Sequence, residues 1–524
     1  MSIFSKIALR PPKRSTFNLS YENKLTLNFG DLVPVYLQET LPGDVFRHSH
    51  SLFAQFMPLN SQLMQNFDVD VHYFHVPTRL IYEDFEQFLV GGNDGTQTFV
   101  PPYFTPKDFK LYAFNGGMVP LPANFNASGT LVDYLGIPSN IALLGDSGSL
   151  LKNIHLSLLP FRAYWKVYDD YFRDENFCSE TLLSVSGGAA SSLEYQQMLI
   201  LLKRAWKKDY FTSALPWTQK GVEVVLPLGE KAPIKTDAGV AGSAYTSDGN
   251  NFDTVDTGSI NVSAEIYADL ENATAATIDQ LRTAEMVQEW LEKNARGGTR
   301  YNEQIFSHFG VRTPDSRLDR AEFIGYSSSP VNVGNVFSTN SSNGSNVQAV
   351  PVSNANSGQR SNRWKYRVKE HGYIIGIMSV KPRAAYFQGI PKSYIRNDKF
   401  DYYWPEFANL GEQSIQDYEL YADGNTPVDH VFGYTPRYAD LKTRLDEVHG
   451  DFRSTLKFYH DAREFAAQPT LGKTFIEVTQ AADNLTRIFN NISVNNNKIL
   501  INMRHDVKAL RPMPYFGIPM FKSV

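Results

Sequence analysis

Asp68, Asp70 and His72 alternate along Asp68-Val-Asp-Val-His-Tyr73, which puts two carboxylates and an imidazole on one face of a strand. Those groups suit a divalent cation, but three ligands leave its shell incomplete, and a solvated polar strand face explains the same pattern. Gly145-Asp-Ser-Gly-Ser149 nearly spells the surroundings of a trypsin-like serine, with Ser in place of the last Gly. Such a serine needs a histidine base within reach, and no Ala-Ala-His-Cys-like stretch precedes it. Residues 467–474, AQPTLGKT, share the tail of a phosphate-binding loop. Ala467 stands where a leading Gly would let the backbone N–H groups curl around a phosphate. No active site, bound metal or cofactor is expected from these stretches.

Phosphate binding without catalysis has better candidates. Residues 1–14 carry Lys6, Arg10, Lys13 and Arg14 and no acid, and residues 1–16 read as a basic, Pro-interrupted arm. Lys203-Arg204-Ala-Trp206-Lys207-Lys208 interleaves cations with a ring on which a single-stranded base could stack. Arg363, Lys365, Arg367 and Lys369 fall on one face of a third stretch. Arg10, Lys13, Arg14 and the 203–208 cluster are the residues expected to touch nucleic acid. Because no base-reading motif accompanies them, any binding would be sequence-independent. A solvated face or a salt bridge between subunits explains the arm equally simply and the other two clusters more simply.

The elements that position these groups are mostly strands. Trp364, Tyr366 and Val368 oppose the basic set, and Tyr373 to Val380 is an apolar, isoleucine-rich run of strand length, expected to be covered on both faces. Residues 25–29, 32–37 and 45–56 read as further strands, separated by Gly30 and Pro42-Gly43. A short helix is predicted at 82–90, stopped by Gly91-Gly92. Another is predicted from Phe161 to Phe172, where aromatics recur at helical spacing, and a third from a capping box at Thr277-Ile-Asp-Gln280 to Gly297-Gly298. Residues 229–262 read as a large exposed loop, and residues 327–362, rich in Ser, Asn and Gly, as a mobile surface loop.

The 524 residues, 42% hydrophobic, are globular in composition and long for one core. No apolar run approaches the roughly 20 residues of a membrane helix, and the start lacks a secretory signal. A single cysteine, Cys178, rules out a disulfide frame and suits folding in a reducing cytoplasm. Net charge is −5, yet 229–276 alone holds eight acids against two lysines, so the rest is close to neutral. Charge is segregated.

His371-Gly-Tyr-Ile-Ile-Gly-Ile-Met-Ser-Val-Lys-Pro-Arg383, Phe400-Asp-Tyr-Tyr-Trp-Pro405 and Leu410-Gly-Glu-Gln413 closely resemble the major capsid protein of the Microviridae, small single-stranded DNA phages, and within them the gokushovirus group. Gly30-Asp-Leu-Val-Pro34, His72-Tyr-Phe-His-Val-Pro77, Asp209 to Trp217 and Phe432 to Ala439 extend the resemblance along almost the whole chain. It implies a mainly β subunit: one antiparallel jelly-roll barrel with long loop insertions and a few helices, 229–262 forming a surface protrusion. It implies self-assembly into a T=1 icosahedral shell, in the host bacterial cytoplasm, around a circular single-stranded DNA genome. Implied partners are a DNA pilot protein, a small DNA-binding protein, an internal scaffolding protein and a host surface receptor. The rival reading of the aromatics and carboxylates is a secreted β-sandwich that binds or hydrolyses glycans.

Overall fold

Eleven strands build the body of the molecule in a computed structural model. The structure describes residues 13–91, 96–113, 121–122, 125–182, 184–221, 278–297, 319–337, 351–424, 427, 430–480, 483–490 and 497–516, with short strands at 234–236, 245–247, 252–254 and 266–268. In chain order the main strands are β1 (Ser15–Asn18), β2 (Tyr21–Leu27), β3 (Val33–Thr40), β4 (Val45–Phe56) and β5 (Phe67–Pro77). Then come β6 (Glu322–Pro330), β7 (Asn332–Phe337), β8 (Pro351–Arg360), β9 (Trp364–Arg367), β10 (Gly372–Pro382) and β11 (Ile499–Arg511).

Every pairing among them is antiparallel. One sheet of four runs β6-β5-β10-β3. The other, of seven, has β11 between β1/β2 and β4, with β8 and β9 on the far edge of β4 and β7 beyond β8. Strands that follow one another thus alternate between sheets, β2 to β3, β3 to β4, β4 to β5. This interleaved order is that of a jelly roll. Among the described residues no ladder joins the two sheets, so the roll is a sandwich and not a closed barrel.

The sheets face each other across one core. Val33, Val35, Val69, Val71, Ile374, Met378 and Val380 point in from the four-stranded sheet, and Phe46, Leu52, Ala54, Phe56, Ile501 and Met503 from the other. Each fully buried aliphatic or aromatic contributes about 1.5–3 kcal/mol. The alternate residues of β5 and β10, among them Phe74, Val76, Ile375 and Ile377, pack outward against helix α2 (Leu159–Val167) through Phe161, Tyr164 and Trp165. The 373–380 run is therefore covered on both faces, as its lack of alternation predicts. The predicted 82–90 helix is α1 (Phe85–Val90), ended by Gly91 at φ 78°. The capped helix is α3 (Ile278–Gly297), although Thr277 lies outside the described residues.

Two readings need correction. The described part of 327–362 is mostly strand and not loop: the end of β6, then β7 and β8. Ser327 and Ser329 point into the sandwich, where they bond to His50 (3.1 Å) and Ser357 (3.0 Å). Serine stands at positions where an apolar residue would have revealed the alternation. The arm also ends early, because Ser15 and Thr16 already pair with Arg511 and Leu510. Arg10 lies outside the described residues.

The chain divides into two compact units, 217–314 and the remainder. In the first, 245–247 pairs with 252–254, and 234–236 with 266–268, so the 229–262 stretch read as a loop contains three short strands.

Candidate nucleic-acid interface

The outward face of the seven-stranded sheet carries a cluster of cations from three strands. Alternation along β4 turns Phe46, His48, His50 and Leu52 inward and Arg47, Ser49, Ser51 and Phe53 outward. Antiparallel register then places Lys508 of β11 and Lys365 of β9 on either side of Arg47, one cross-strand row of three cations. Residues so placed have Cβ atoms only about 4.5–5.5 Å apart, and like charges there repel. Four residues along, Arg360 and Arg504 flank Ser51, with Glu22 of β2 across from Arg504. Arg367 is exposed on the same face. Asp506, in the intervening row, pairs with Arg363 at 3.5 Å and accepts from the Ser20 hydroxyl at 3.4 Å. Among the described residues Arg47, Lys365 and Lys508 have no ion pair. Beside them Phe53 is half exposed, opposite Gly358 on β8 and Asn502 on β11. Cations at strand spacing with an open ring suit phosphates and a stacked base of a single strand.

The 203–208 cluster is used differently. Lys203 pairs with Asp31, Arg204 with Asp70 (3.5 Å) and Lys208 with Asp174 (2.6 Å). Trp206 is 3% exposed and belongs to the sandwich core, with the Arg463 guanidinium 4.9 Å from its ring centre. It has no face for a base. Arg463 is itself buried, bonded to Asp483 (3.1 Å) and the Phe475 carbonyl (2.7 Å). Hydrophobic burial claims a Trp that its flanking lysines made look like a stacking platform. Lys207 stays exposed, as do Lys13 and Arg14. The predicted 363–369 face is real: Arg363, Lys365, Arg367 and Lys369 are exposed and Val368 is buried. Sequence reasoning missed Arg47, Arg504, Lys508 and Phe53, because only strand register brings them beside β9.

The other candidates are occupied by structure. Asp70 is held by Lys381 (3.1 Å), Arg204 and the Tyr326 hydroxyl (2.8 Å). Burial alone would raise its pKa, but these neighbours hold the carboxyl below its usual range. Burial, helped by the Arg204 charge, pushes His72 down to about 3. Two cations already sit where a metal would have to, so the strand face is an internal ion-pair network. Asp146 of the Gly145–Ser149 turn is bound by Lys110. Gly472 of 467–474 is fully extended and precedes a single helical turn.

A jelly-roll sandwich with two long excursions, 78–321 and 383–498, and a basic sheet face defines a coat-forming architectural protein. The model of the capsid protein (F protein) family matches residues 5–521, and the chain belongs to that family. It is 33% identical to capsid protein VP1 of Bdellovibrio phage phiMH2K over 549 residues, covering 98% of this chain and 97% of that protein. It is 28% identical to capsid protein VP1 of Chlamydia phage 1, covering 99% and 98%, and 28% identical to that of Spiroplasma virus 4, covering 98% and 96%. The protein is a structural component of a virion and not an enzyme. The glycan-acting alternative falls with that finding. Among the described residues no helix is long and apolar enough to cross a membrane.

Proposed function

We propose that copies of this subunit close a T=1 icosahedral shell around circular single-stranded DNA, with the outward face of the seven-stranded sheet turned toward the genome. The observation that carries the DNA contact is the Lys365–Arg47–Lys508 row, three cations side by side with no ion pair among the described residues. A free subunit loses stability by keeping them adjacent, and a polyanion laid across the row reverses that. Arg10, Lys13 and Arg14 of the arm, together with Lys207, would add phosphate contacts. Assembly in the host cytoplasm, a DNA pilot protein, a small DNA-binding protein, an internal scaffolding protein and a host receptor follow from the family resemblance. Segment 229–262 would face outward as a surface protrusion.

The test replaces Arg47, Lys365 and Lys508 by Gln. Shells still form, but packaged DNA per shell, read from the absorbance ratio of purified particles, falls. The log–log salt slope for a single-stranded oligonucleotide drops by about 2, three phosphate contacts at roughly 0.7 each. An unchanged slope with full particles would overturn the assignment of this face. A second variant, with Arg10, Lys13 and Arg14 replaced, lowers packaging further if the arm also clamps phosphate.

A further inference from the structure

The excursion 383–498 carries a run of exposed aromatics between Tyr394 and Leu410. Tyr394 is 80% exposed, and Phe400, Tyr402, Tyr403, Trp404 and Leu410 are each about half exposed. At about 150–250 Å² per large aromatic, the uncovered area is on the order of 600–700 Å². A free soluble protein rarely shows a patch beyond about 300–600 Å², whereas one side of a specific protein interface covers about 800 Å².

The surface is also held in shape. The Trp404 indole donates to the Lys399 carbonyl (2.8 Å), so the ring's polar atom is satisfied internally and its face is left apolar. Asp401 accepts from the backbone N–H groups of Asn397 and Asp398, both at 2.9 Å. Arg396 is tied to Asp440. Beneath, Tyr438 stacks edge-on to Tyr403 at 5.0 Å and adopts φ 62°, a left-handed conformation that is strained for a tyrosine. Its N–H is pinned by Gln413 (2.8 Å). Strain of this kind persists only where the surroundings enforce it, so the patch is preorganised and loses little entropy on docking.

We infer that the 394–410 surface docks onto a second copy of this chain, as one of the contacts that hold the shell closed. This rests on the capsid reading above and adds the place of contact. Charge selects the occupant. Residues 392–410 contain Lys392, Arg396 and Lys399 against Asp398, Asp401 and Glu406, for a net of zero. Neither nucleic acid nor an anionic membrane gains by approaching such a surface. Another copy meets an apolar centre with both signs at its rim, the usual anatomy of a protein contact.

Two measurements test it, with wild-type shell formation as the control. Tyr394→Ser, Phe400→Ser and Trp404→Ser together should leave circular dichroism unchanged and cut the shell yield, read by sedimentation and negative-stain imaging, at least tenfold. To separate assembly from any effect of those substitutions on folding, a photo-crosslinking phenylalanine placed at Tyr394 in otherwise wild-type particles should join two copies of the chain. Shells at wild-type yield from a folded triple variant would overturn the inference. So would crosslinks confined to one chain, to DNA or to another protein. A wild-type chain that forms no shells would sink the capsid reading first, and this one with it.

Discussion

His48, His50 and His505 sit at most 1% exposed at the centre of the sandwich, where most β-cores hold only hydrocarbon. His48 Nε2 meets His505 Nδ1 at 3.0 Å, Tyr73 and Ser327 bracket His50 at 2.7 and 3.1 Å, and Trp364 stacks on His48 at 4.8 Å. Burial pushes His50 down to about 4 and His505 to about 3, and it pushes His48 to about 2 with help from the other two rings. The groups around them are tyrosines, serine and tryptophan, and no carboxylate bonds to any of the three among the described residues. The unfolded chain therefore binds more protons than the native one between pH 6.5 and about 4. Stability is complete above 6.5 and is lost as pH falls through that window, at up to about 1.4 kcal/mol per pH unit for each histidine. Thermal melts from pH 7 to 4 should show this decline, and His50→Gln should flatten it. A melting temperature level across the window would refute the account.

At the scale of elements, β10 shows how a strand's neighbours restrict its residues. Gly376 lies where Tyr36 of β3 and Tyr73 of β5 converge, at a register shift in the β3 ladder. A methyl group there would stand 2.8 Å from the Tyr73 ring and 2.9 Å from Tyr36 Cβ. Gly376→Val should cost about 1–3 kcal/mol through overpacking, visible as a lower melting temperature; a neutral result would mean that the two tyrosines can move apart. The strand itself was legible, since an isoleucine-rich run of that length without alternation has to be covered twice. Strands β6 to β8 were not, because Ser327, Ser329 and Ser357 replace the apolar residues that mark a buried face. Helix α2 shows a further limit. Its aromatic spacing announced a buried stripe, but not that Arg162, on the same helix, would be equally buried through Glu194 (3.1 Å) and the Ser186 carbonyl (2.7 Å).

Over the whole molecule, charge and packing pull apart. The cation row on the seven-stranded sheet costs the isolated subunit stability, so Arg47→Gln should raise its melting temperature at low salt, by the equivalent of about 0.2–1 kcal/mol, while weakening DNA binding. The gain should shrink at about 0.15 M salt, where the screening length is near 8 Å. A variant that loses both stability and binding would show that Arg47 packs and does not clamp. The same logic separates the two long excursions from the sandwich. The sandwich is stabilised by its own core, whereas the aromatic surface of 394–410 stays about half exposed or more in the single subunit and is the face we propose a second copy covers.

The amino-acid order by itself determined the strand-rich class, the family, the doubly covered β10 and the alternating basic face at 363–369, because each depends on periodicity or on local motifs a few residues long. Which lysines remain open to solvent was decided only in three dimensions. Lys203, Arg204 and Lys208 meet acids from 31, 70 and 174, and Trp206 enters the core, while Arg47, Lys365 and Lys508 converge from strands hundreds of residues apart. Pairing between distant strands sets those neighbours, and no local pattern in the chain encodes it.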